Sequence, residues 1–254
     1  MVFEHVIGFK SVLVVNYFVF FKTMCRILII NAFRYLCTKF STMITDIIER
    51  LKWRYATKKF DQTKTLEPEQ VNLLKEAFNL TATSYGLQTL KMLVIKDKDV
   101  RNKLLEHAYG QRQVLDSSHL LVLCVQKVIG SADVDAHFDN VSATRSVPET
   151  ILAPYRASLK SVIEDMTPEQ KEEWSIRQAY IALGNLMTVC AMARIDSCPM
   201  EGFDVQGFDE VLKLCDDNLA PVLLLPVGYR SHDDMFSGFK KVRKQLEDTV
   251  VDWQ

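Results

Sequence analysis

The chain has 254 residues, of which 48% are apolar and 25% are charged, and its formal net charge at pH 7 is −1. This composition is typical of a globular protein large enough to bury a sizeable core, and one domain is the default expectation. The near-neutral charge argues against nucleic acid or an anionic membrane as the main partner.

Residues 1–42 differ from the rest of the chain because they are strongly apolar and carry five lysines or arginines against a single acid, Glu4. Lys22 and Arg26 interrupt the apolar runs, which are therefore shorter than the roughly 20 residues of a membrane span. Three interpretations remain: a membrane-associated anchor, a targeting segment, or upstream sequence outside the mature enzyme. We expect the last, with a domain that begins at Met43 and covers residues 43–254.

The first half of the domain is predicted to alternate helices and strands. Apolar residues at helical spacing predict a short amphipathic helix over residues 46–53, and Pro68 favours the first turn of a second helix. Runs rich in β-branched and aliphatic residues predict strands at residues 92–95 and 119–126, the latter covered on both faces, with a helix at 99–109 between them.

In the second half, residues 130–166 begin with Gly-Ser-Ala-Asp and then carry scattered aromatic and apolar residues. We interpret this segment as a mobile helical excursion. Thr167 and Gln170 then predict a capping box at the start of the longest helix, with Pro168 in its first position. The body of this helix is apolar nearly all round, which is typical of a central buried helix. A final strand is predicted at residues 221–227.

A polar segment at residues 54–61, with the sequence Arg-Tyr-Ala-Thr-Lys-Lys-Phe-Asp, follows the first predicted helix. Arg54 offers a planar fork of donors that matches a phosphate, and Lys58 offers a compact positive charge about one turn later. This pair suits a flat, anionic ligand. The alternative is a solvated basic face that interacts favourably with the helix dipole.

Four segments occur in the following order: Arg-Tyr-Ala-Thr-Lys-Lys-Phe-Asp at 54–61, Thr-Ser-Tyr-Gly-Leu-Gln at 83–88, Cys-Pro-Met-Glu-Gly-Phe-Asp at 198–204, and Leu-Pro-Val-Gly-Tyr-Arg at 225–230 followed by Lys241 and Arg243. Together they resemble the FMN-dependent nitroreductases, and the resemblance covers residues 43–254. It implies an α+β fold with a central, mostly antiparallel sheet flanked by helices, and an intertwined homodimer with one FMN per subunit.

The resemblance assigns the basic residues to the two ends of the cofactor. Arg54, Lys241 and Arg243 match family residues that hold the FMN phosphate, although the last two also fit a solvated basic tail. Lys58 matches the lysine that reaches the flavin N1 and C2 carbonyl region, where a cation raises the reduction potential. The backbone at Tyr55 and Ala56 is expected to line the cofactor, and Ala56 stands where many relatives have serine.

The remaining expected site residues come from three other segments. The turn formed by Pro199, Met200, Glu201 and Gly202 matches the family segment that packs on one ring face and presents a main-chain N–H to the flavin N5; alone, it also fits a simple loop. Thr83, Ser84 and Gly86 match the segment that reaches the cofactor from the other subunit. Gln111 and Gln113 lie where relatives place amide or basic side chains near the pyrimidine edge.

The predicted activity is ping-pong, two-electron reduction of nitroaromatics, quinones or similar small-molecule acceptors by NADH or NADPH. The sequence contains no GxGxxG motif, which removes the main sign of a permanent dinucleotide site. Because such chemistry needs no protein nucleophile, we assign no catalytic residue. The histidines and cysteines show no metal-site spacing.

Cysteines without a CxxC pattern fit a reducing compartment, so a cytoplasmic location is expected. Membrane contact is expected only if residues 1–42 are retained. Two alternatives stay open. The first is a specialised enzyme of the same fold that fragments flavin, removes halogen or reduces a double bond, with residues 130–166 as a fixed lid. The second is a non-enzymatic, flavin-binding, membrane-tethered protein.

Overall fold

The computed structural model of the chain describes residues 46–253. The expectations placed on residues 1–42 and on a start at Met43 lie outside the described residues. Residues 50–253 belong to one compact unit, which contains the fold described below apart from the first four residues of α1. None of the helices within residues 46–253 has the length and apolarity that a membrane crossing requires.

The unit contains both helices and strands, as the sequence predicts. The helices are α1 (residues 46–53), α2 (Pro68–Asn79), α3 (Lys98–His107), α4 (Gln113–Asp116), α5 (Ser131–Arg145), α6 (Glu149–Glu164), α7 (Pro168–Met192) and α8 (Val205–Leu212), and the strands are β1 (Leu90–Ile95), β2 (His119–Gln126), β3 (Asp196–Ser197) and β4 (Leu219–Gly228).

The four strands form one antiparallel sheet in the order β1-β2-β4-β3. Leu93 of β1 pairs with Val122 of β2, and Leu121 of β2 pairs with Leu225 of β4. Every residue of β2 except Gln126 is buried, which confirms a strand covered on both faces. The predicted α+β fold with a central antiparallel sheet is therefore confirmed.

Helices cover both faces of the sheet because alternate residues of β2 point to opposite sides. Leu121 and Leu123 belong to a core that includes residues of α2 and α7. Leu120 and Val122 belong to a second core on the other face, which includes residues of α3, α4 and α8. The segments at residues 54–61 and 197–202 lie where β3 meets the end of β4.

The predicted helical excursion at residues 130–166 consists of α5 and α6, which pack on each other. Phe138, Leu159 and Ile163 are buried in their shared core. Arg156 of α6 joins the two helices through ion pairs with Asp135 and Asp139 of α5, at 3.1 and 2.8 Å. The expected mobility of this segment stays a prediction.

Helix α7 begins as its capping residues predict. Thr167 Oγ1 accepts a hydrogen bond from the Gln170 N–H at 3.3 Å, and Gln170 Oε1 accepts one from the Thr167 N–H at 2.8 Å. The predicted central buried helix is buried on one side in this single chain, whereas Tyr180 and Ile181 are 43% and 49% exposed. One side of the helix is buried against the sheet, and the other side is open.

Candidate functional site

A cavity of about 600 Å³ lies between the segment that follows α1 and a segment that follows β4. Within the described residues, seven of its fourteen lining side chains are lysine or arginine and none is acidic. The lining residues are Lys52, Trp53, Arg54, Tyr55, Ala56, Lys58, Arg230, Phe236, Ser237, Phe239, Lys240, Lys241, Val242 and Arg243. Such a surface favours an anionic ligand with an aromatic or apolar part.

The cations in this cavity repel one another. Burial and the charge of Arg243 lower the pKa of the Arg54 guanidinium. Burial and the charges of Arg54 and Arg243 likewise lower the pKa of the Lys241 ammonium, which donates to the carbonyl oxygen of Arg54. The Nε atom of Arg54 is buried and has no hydrogen-bond partner in the described part of the chain. A bound dianion would relieve the repulsion and satisfy this donor.

The segment at residues 54–61 is held in an extended conformation by the edge of the sheet. Ala56 forms a parallel bridge with Ser197, and the Thr57 N–H donates to the Ser197 carbonyl at 3.2 Å. Further along, Phe60 forms an antiparallel bridge with Arg230. The bridges place Arg54 and Lys58 at the end of β3 and beside the turn that follows it.

The side chain of Arg230 fixes the beginning of this segment. Its guanidinium carbon lies 4.3 Å from the centre of the Trp53 ring and 4.5 Å from the centre of the Tyr55 ring. Its Nε and Nη2 atoms lie 2.7 and 2.6 Å from Oδ1 of Asp196, which is buried. The charge of Arg230 is therefore neutralised, and its role is to position the aromatic residues beside Arg54.

A second buried carboxylate, Asp234, joins the two sides of the cavity. Its Oδ2 accepts hydrogen bonds from the Tyr55 hydroxyl at 2.8 Å and from the N–H groups of Lys58 and Lys59 at 2.9 and 3.0 Å. Its Oδ1 accepts from the Phe236 N–H at 3.0 Å and begins a short 3₁₀ turn that leads toward Lys241. Asp234 thus orients both segments that carry the cations.

We expect Asp234→Ala to reduce stability at neutral pH and to make the stability depend less on pH in the acid range. Burial alone would raise the pKa of Asp234, but hydrogen bonds from Lys59, Tyr55 and Lys58 offset this effect and hold the pKa below its usual value. A carboxyl whose folded-state pKa is depressed stabilises the fold above its unfolded pKa of about 3.9, and this contribution disappears as the pH falls through the folded value.

Urea unfolding at pH 7 and at pH 3 measures this effect. Asp234→Ala is expected to cost about 2–4 kcal/mol at pH 7, because it leaves backbone N–H groups without their charged acceptor, and less at pH 3. Asp233→Ala is the matched control, since Asp233 is exposed and, among the described residues, its side chain pairs with Lys59 and Ser231 alone. Equal losses for both variants at pH 7 would contradict the role given to Asp234.

The turn expected to contact the flavin ring is attached to the same region. Met200 exchanges backbone hydrogen bonds with Leu224 at 2.9 and 3.0 Å, while Gln111 Nε2 donates to the Gly202 carbonyl at 2.7 Å. A Cβ atom at Gly202 would meet nothing within 4 Å, so the space beside it is open. The residues expected in this turn, Pro199, Met200, Glu201 and Gly202, follow β3 but do not line the cationic cavity.

The structure does not bring the other expected residues into this cavity. The Ser84 N–H donates to Gln178 of α7 at 2.8 Å, and Gly86, with φ of 73°, lies against His137 of α5. Thr83 precedes this turn, and Gln113 begins α4. A single chain therefore assembles Arg54, Tyr55, Ala56, Lys58, Lys241 and Arg243, and leaves Thr83, Ser84, Gly86 and Gln113 apart from them.

Sequence reasoning missed the three residues that hold the site in place. Arg230 belongs to the segment at residues 225–230 that resembles the family, but no local pattern indicates its pairing with Asp196, 34 positions away. Asp234 had a weak signal only, because an aspartate two residues before Phe236 is a suitable cap for a short helical turn.

Comparison with known proteins places this fold among its relatives. The model of the nitroreductase family matches residues 51–229. A Staphylococcus epidermidis protein whose name gives NAD(P)H nitroreductase as its inferred activity is 31% identical over 224 residues, which cover 83% of this chain and 98% of that protein.

Two solved structures of low identity share the fold. One, from Bacillus subtilis and named a nitroreductase, has a TM-score of 0.74 and 22% identity, and covers 83% of this chain and 100% of its own. The other, from Exiguobacterium sibiricum, is named a nitroreductase and was crystallised in complex with FMN; it has a TM-score of 0.69 and 19% identity, with 82% and 97% covered.

Proposed function

This chain belongs to the nitroreductase family, and from that premise we propose that it is an FMN-dependent oxidoreductase. It uses NADH or NADPH for the two-electron reduction of nitroaromatics, quinones or related small acceptors. The observation that carries the proposal is the cationic cavity, which within residues 46–253 has no acidic lining residue and holds the buried Arg54 Nε without a hydrogen-bond partner.

The residues of the cavity fit FMN in three respects. Arg54, Lys241 and Arg243 are arranged around a space that suits a dianionic phosphate, and charge-assisted hydrogen bonds are the strong ones for such a group. Aromatic side chains lie in the same lining. The cavity volume of about 600 Å³ is within the usual range for small-molecule sites, which is about 300–1,000 Å³.

The chemistry that FMN supplies when bound is two-electron transfer from NADH or NADPH to an acceptor in two separate half-reactions. The chain itself binds and orients. Arg54, Lys241 and Arg243 hold the phosphate. Arg230 and Asp234 fix the conformation of the backbone segment that carries Arg54 and Lys58. Lys58, which is exposed, supplies a positive charge at the redox end of the cofactor.

We expect Lys58→Met to make the two-electron midpoint potential of bound FMN more negative by about 30–60 mV, which corresponds to a lost interaction of about 1.4–2.8 kcal/mol. The cation stabilises the reduced, negatively charged form more than the oxidised form. Spectroelectrochemical titration measures the shift. Lys59→Met is the control, since the Lys59 ammonium pairs with Asp233. An unchanged potential in Lys58→Met would remove Lys58 from the redox end.

The proposal includes a homodimer in which Thr83, Ser84 and Gly86 complete the cofactor site of the partner. It is supported by the open side of α7 and by Trp253, which is 94% exposed. Sedimentation velocity is expected to give a dimer, and Ile181→Lys on the open face is expected to weaken both the dimer and FMN retention. A monomer that binds FMN tightly would contradict this part of the proposal.

The activity is tested by adding FMN to the purified protein and mixing it anaerobically with NADH or NADPH in a stopped-flow spectrometer. The expected result is loss of the flavin absorbance near 450 nm. Its rate should be at least that of a typical enzyme turnover, about 10 s⁻¹. Reoxidation by a nitroaromatic or quinone should follow. No flavin retention, or no bleaching by either nucleotide, would overturn the proposal.

The proposed location is the cytoplasm. Cys124, Cys190 and Cys198 are free and buried in the described part of the chain, and burial raises the pKa of the Cys124 thiol to about 12. Such inert thiols are compatible with a reducing compartment.

A specialised reductase of the same fold is the second candidate, and one contact favours it. Leu87, from the segment at residues 83–88, is buried in the core shared by α5 and α6. This contact attaches α5 and α6 to a segment that is expected to contact the cofactor. It therefore supports a fixed lid formed by residues 130–166. Values of kcat/KM over a panel of nitroaromatics, quinones and enones would separate the two: one dominant acceptor favours the specialised enzyme.

A further inference from the structure

A second cavity, of about 440 Å³, lies at the beginning of β2 and shares no lining residue with the cationic cavity. Its walls come from the segment before α2, from α2 itself and from the residue after β1. The lining residues are Thr65, Leu66, Glu67, Pro68, Val71, Lys75, Lys96 and His119. The proposed flavin chemistry uses none of these residues.

His119 is 6% exposed and is held in one orientation by its neighbour. Ser118 Oγ accepts a hydrogen bond from the Leu66 N–H at 2.8 Å and lies 2.9 Å from Nδ1 of His119. Since the Ser118 oxygen already accepts from the Leu66 N–H, we assign its own O–H as the donor and Nδ1 of His119 as the acceptor. The neutral imidazole then carries its proton on Nε2, and this N–H remains as a donor toward the cavity.

The surroundings of His119 are positive. Lys75 and Lys96 line the cavity, and neither forms an ion pair within residues 46–253. Behind them, Arg101 is 1% exposed and donates hydrogen bonds to a hydroxyl and to carbonyl oxygens, including the carbonyl oxygens of Ser117 at 2.6 Å and Lys96 at 3.0 Å.

Asp116 and Asp97 act favourably on the charge of Arg101, but within residues 46–253 neither carboxylate forms an ion pair with it. Asp97 caps the N-terminus of α3, and Asp116 pairs with Arg112 at 2.6 Å. Glu67 is the single acidic residue among those that line the cavity. A buried cation that lacks a close carboxylate is costly, and an anion bound next to it would offset that cost.

We propose that this cavity is a binding site for a small oxyanion, a carboxylate or a phosphate, held by the ammonium groups of Lys75 and Lys96 and by the N–H of His119. Leu66, Pro68 and Val71 provide an apolar wall for the body of an organic anion. The site lies outside the proposed flavin cavity and is independent of the proposed function.

The titration of His119 supports the same arrangement. Burial, followed by the charges of Arg101, Lys96 and Lys75, lowers the pKa of His119 to about 4. The imidazole is thus a neutral donor at pH 7. An anion in the cavity would favour the protonated ring and raise the pKa of His119.

The test is NMR spectroscopy of protein with ¹⁵N-labelled histidine and backbone, after saturation with FMN so that the cationic cavity is occupied. Inorganic phosphate and benzoate are titrated separately at pH 7, against sodium chloride of equal ionic strength. We expect a saturable shift of the His119 imidazole signals and of the Leu66 and Ser118 amides with at least one of the two probes.

Single-lysine variants make the result specific. Lys75→Ala and Lys96→Ala are each expected to weaken probe binding about tenfold or more, whereas Lys103→Ala, an exposed lysine of α3 that does not line the cavity, should bind as the parent does. Shifts that sodium chloride reproduces, or no saturable shift with either probe, would overturn the proposal. If FMN fails to bind, the proposed function fails, but the His119 signals still report on this site.

Discussion

Asp196→Ala is expected to lower the free energy of unfolding by about 3–5 kcal/mol, because removal of one partner leaves a buried charge without compensation. Asp196 is 5% exposed and accepts from the Arg230 backbone N–H at 2.9 Å and from its Nε at 2.7 Å. Without this carboxylate, the guanidinium between Trp53 and Tyr55 must remain unpaired or turn toward water. Urea denaturation followed by circular dichroism measures the loss.

Two further variants separate a lost ion pair from a general packing defect. Asp196→Ala combined with Arg230→Met should be more stable than Asp196→Ala alone, since the second change removes the unpaired charge and keeps an apolar side chain between the rings. Glu173→Ala, which breaks an exposed pair with Arg177 on α7, should have little effect. If the double variant is the least stable of the set, the ion-pair explanation is wrong.

Arg54→Ala is expected to weaken FMN binding by about 30- to 1,000-fold, which corresponds to roughly 2–4 kcal/mol for a buried, charge-assisted contact. The same change should leave the FMN-free protein as stable as the parent or more stable. Arg54 faces Arg243 and Lys241, and its Nε has no partner in the described structure, so its removal relieves repulsion. A substitution that weakens ligand binding but does not destabilise the ligand-free protein is characteristic of a residue that serves to bind the ligand.

Fluorescence quenching of FMN gives the dissociation constant, and thermal unfolding without FMN gives the stability. Lys244→Ala is the matched control, since Lys244 follows the cationic residues but does not line the cavity. It should change neither quantity appreciably. A stability loss in Arg54→Ala with unaltered FMN affinity would show that Arg54 has a structural role instead.

The strongest local patterns predicted their elements well. The continuous apolar run at 119–126 matched β2 at both ends, because a strand buried on both faces needs no polar residue until it emerges. Thr167, Pro168 and Gln170 located the start of α7, since a capping box is formed by residues three apart and depends little on the rest of the fold.

Elements that depend on distant residues could not be predicted in this way. Strand β3 has two residues, too few for a periodic pattern, and exists because β4 and the segment at 54–61 pair with it. The partners Asp196 and Arg230 are 34 positions apart, and Tyr55 and Asp234 are 179 apart. No spacing rule connects such residues. The sequence therefore predicted the cations of the site but not the residues that hold them in position.

The hydrogen bond between Tyr55 and Asp234, 179 positions apart, also sets the time at which the cavity can form. A ribosome that adds about 5–20 residues per second needs roughly 9–36 seconds to travel from the first of these residues to the second. Throughout that interval the segment with Arg54 and Lys58 lacks the carboxylate that orders it. Capture of a cofactor is therefore expected to follow synthesis of this region, and a nascent chain halted before residue 234 should not retain flavin.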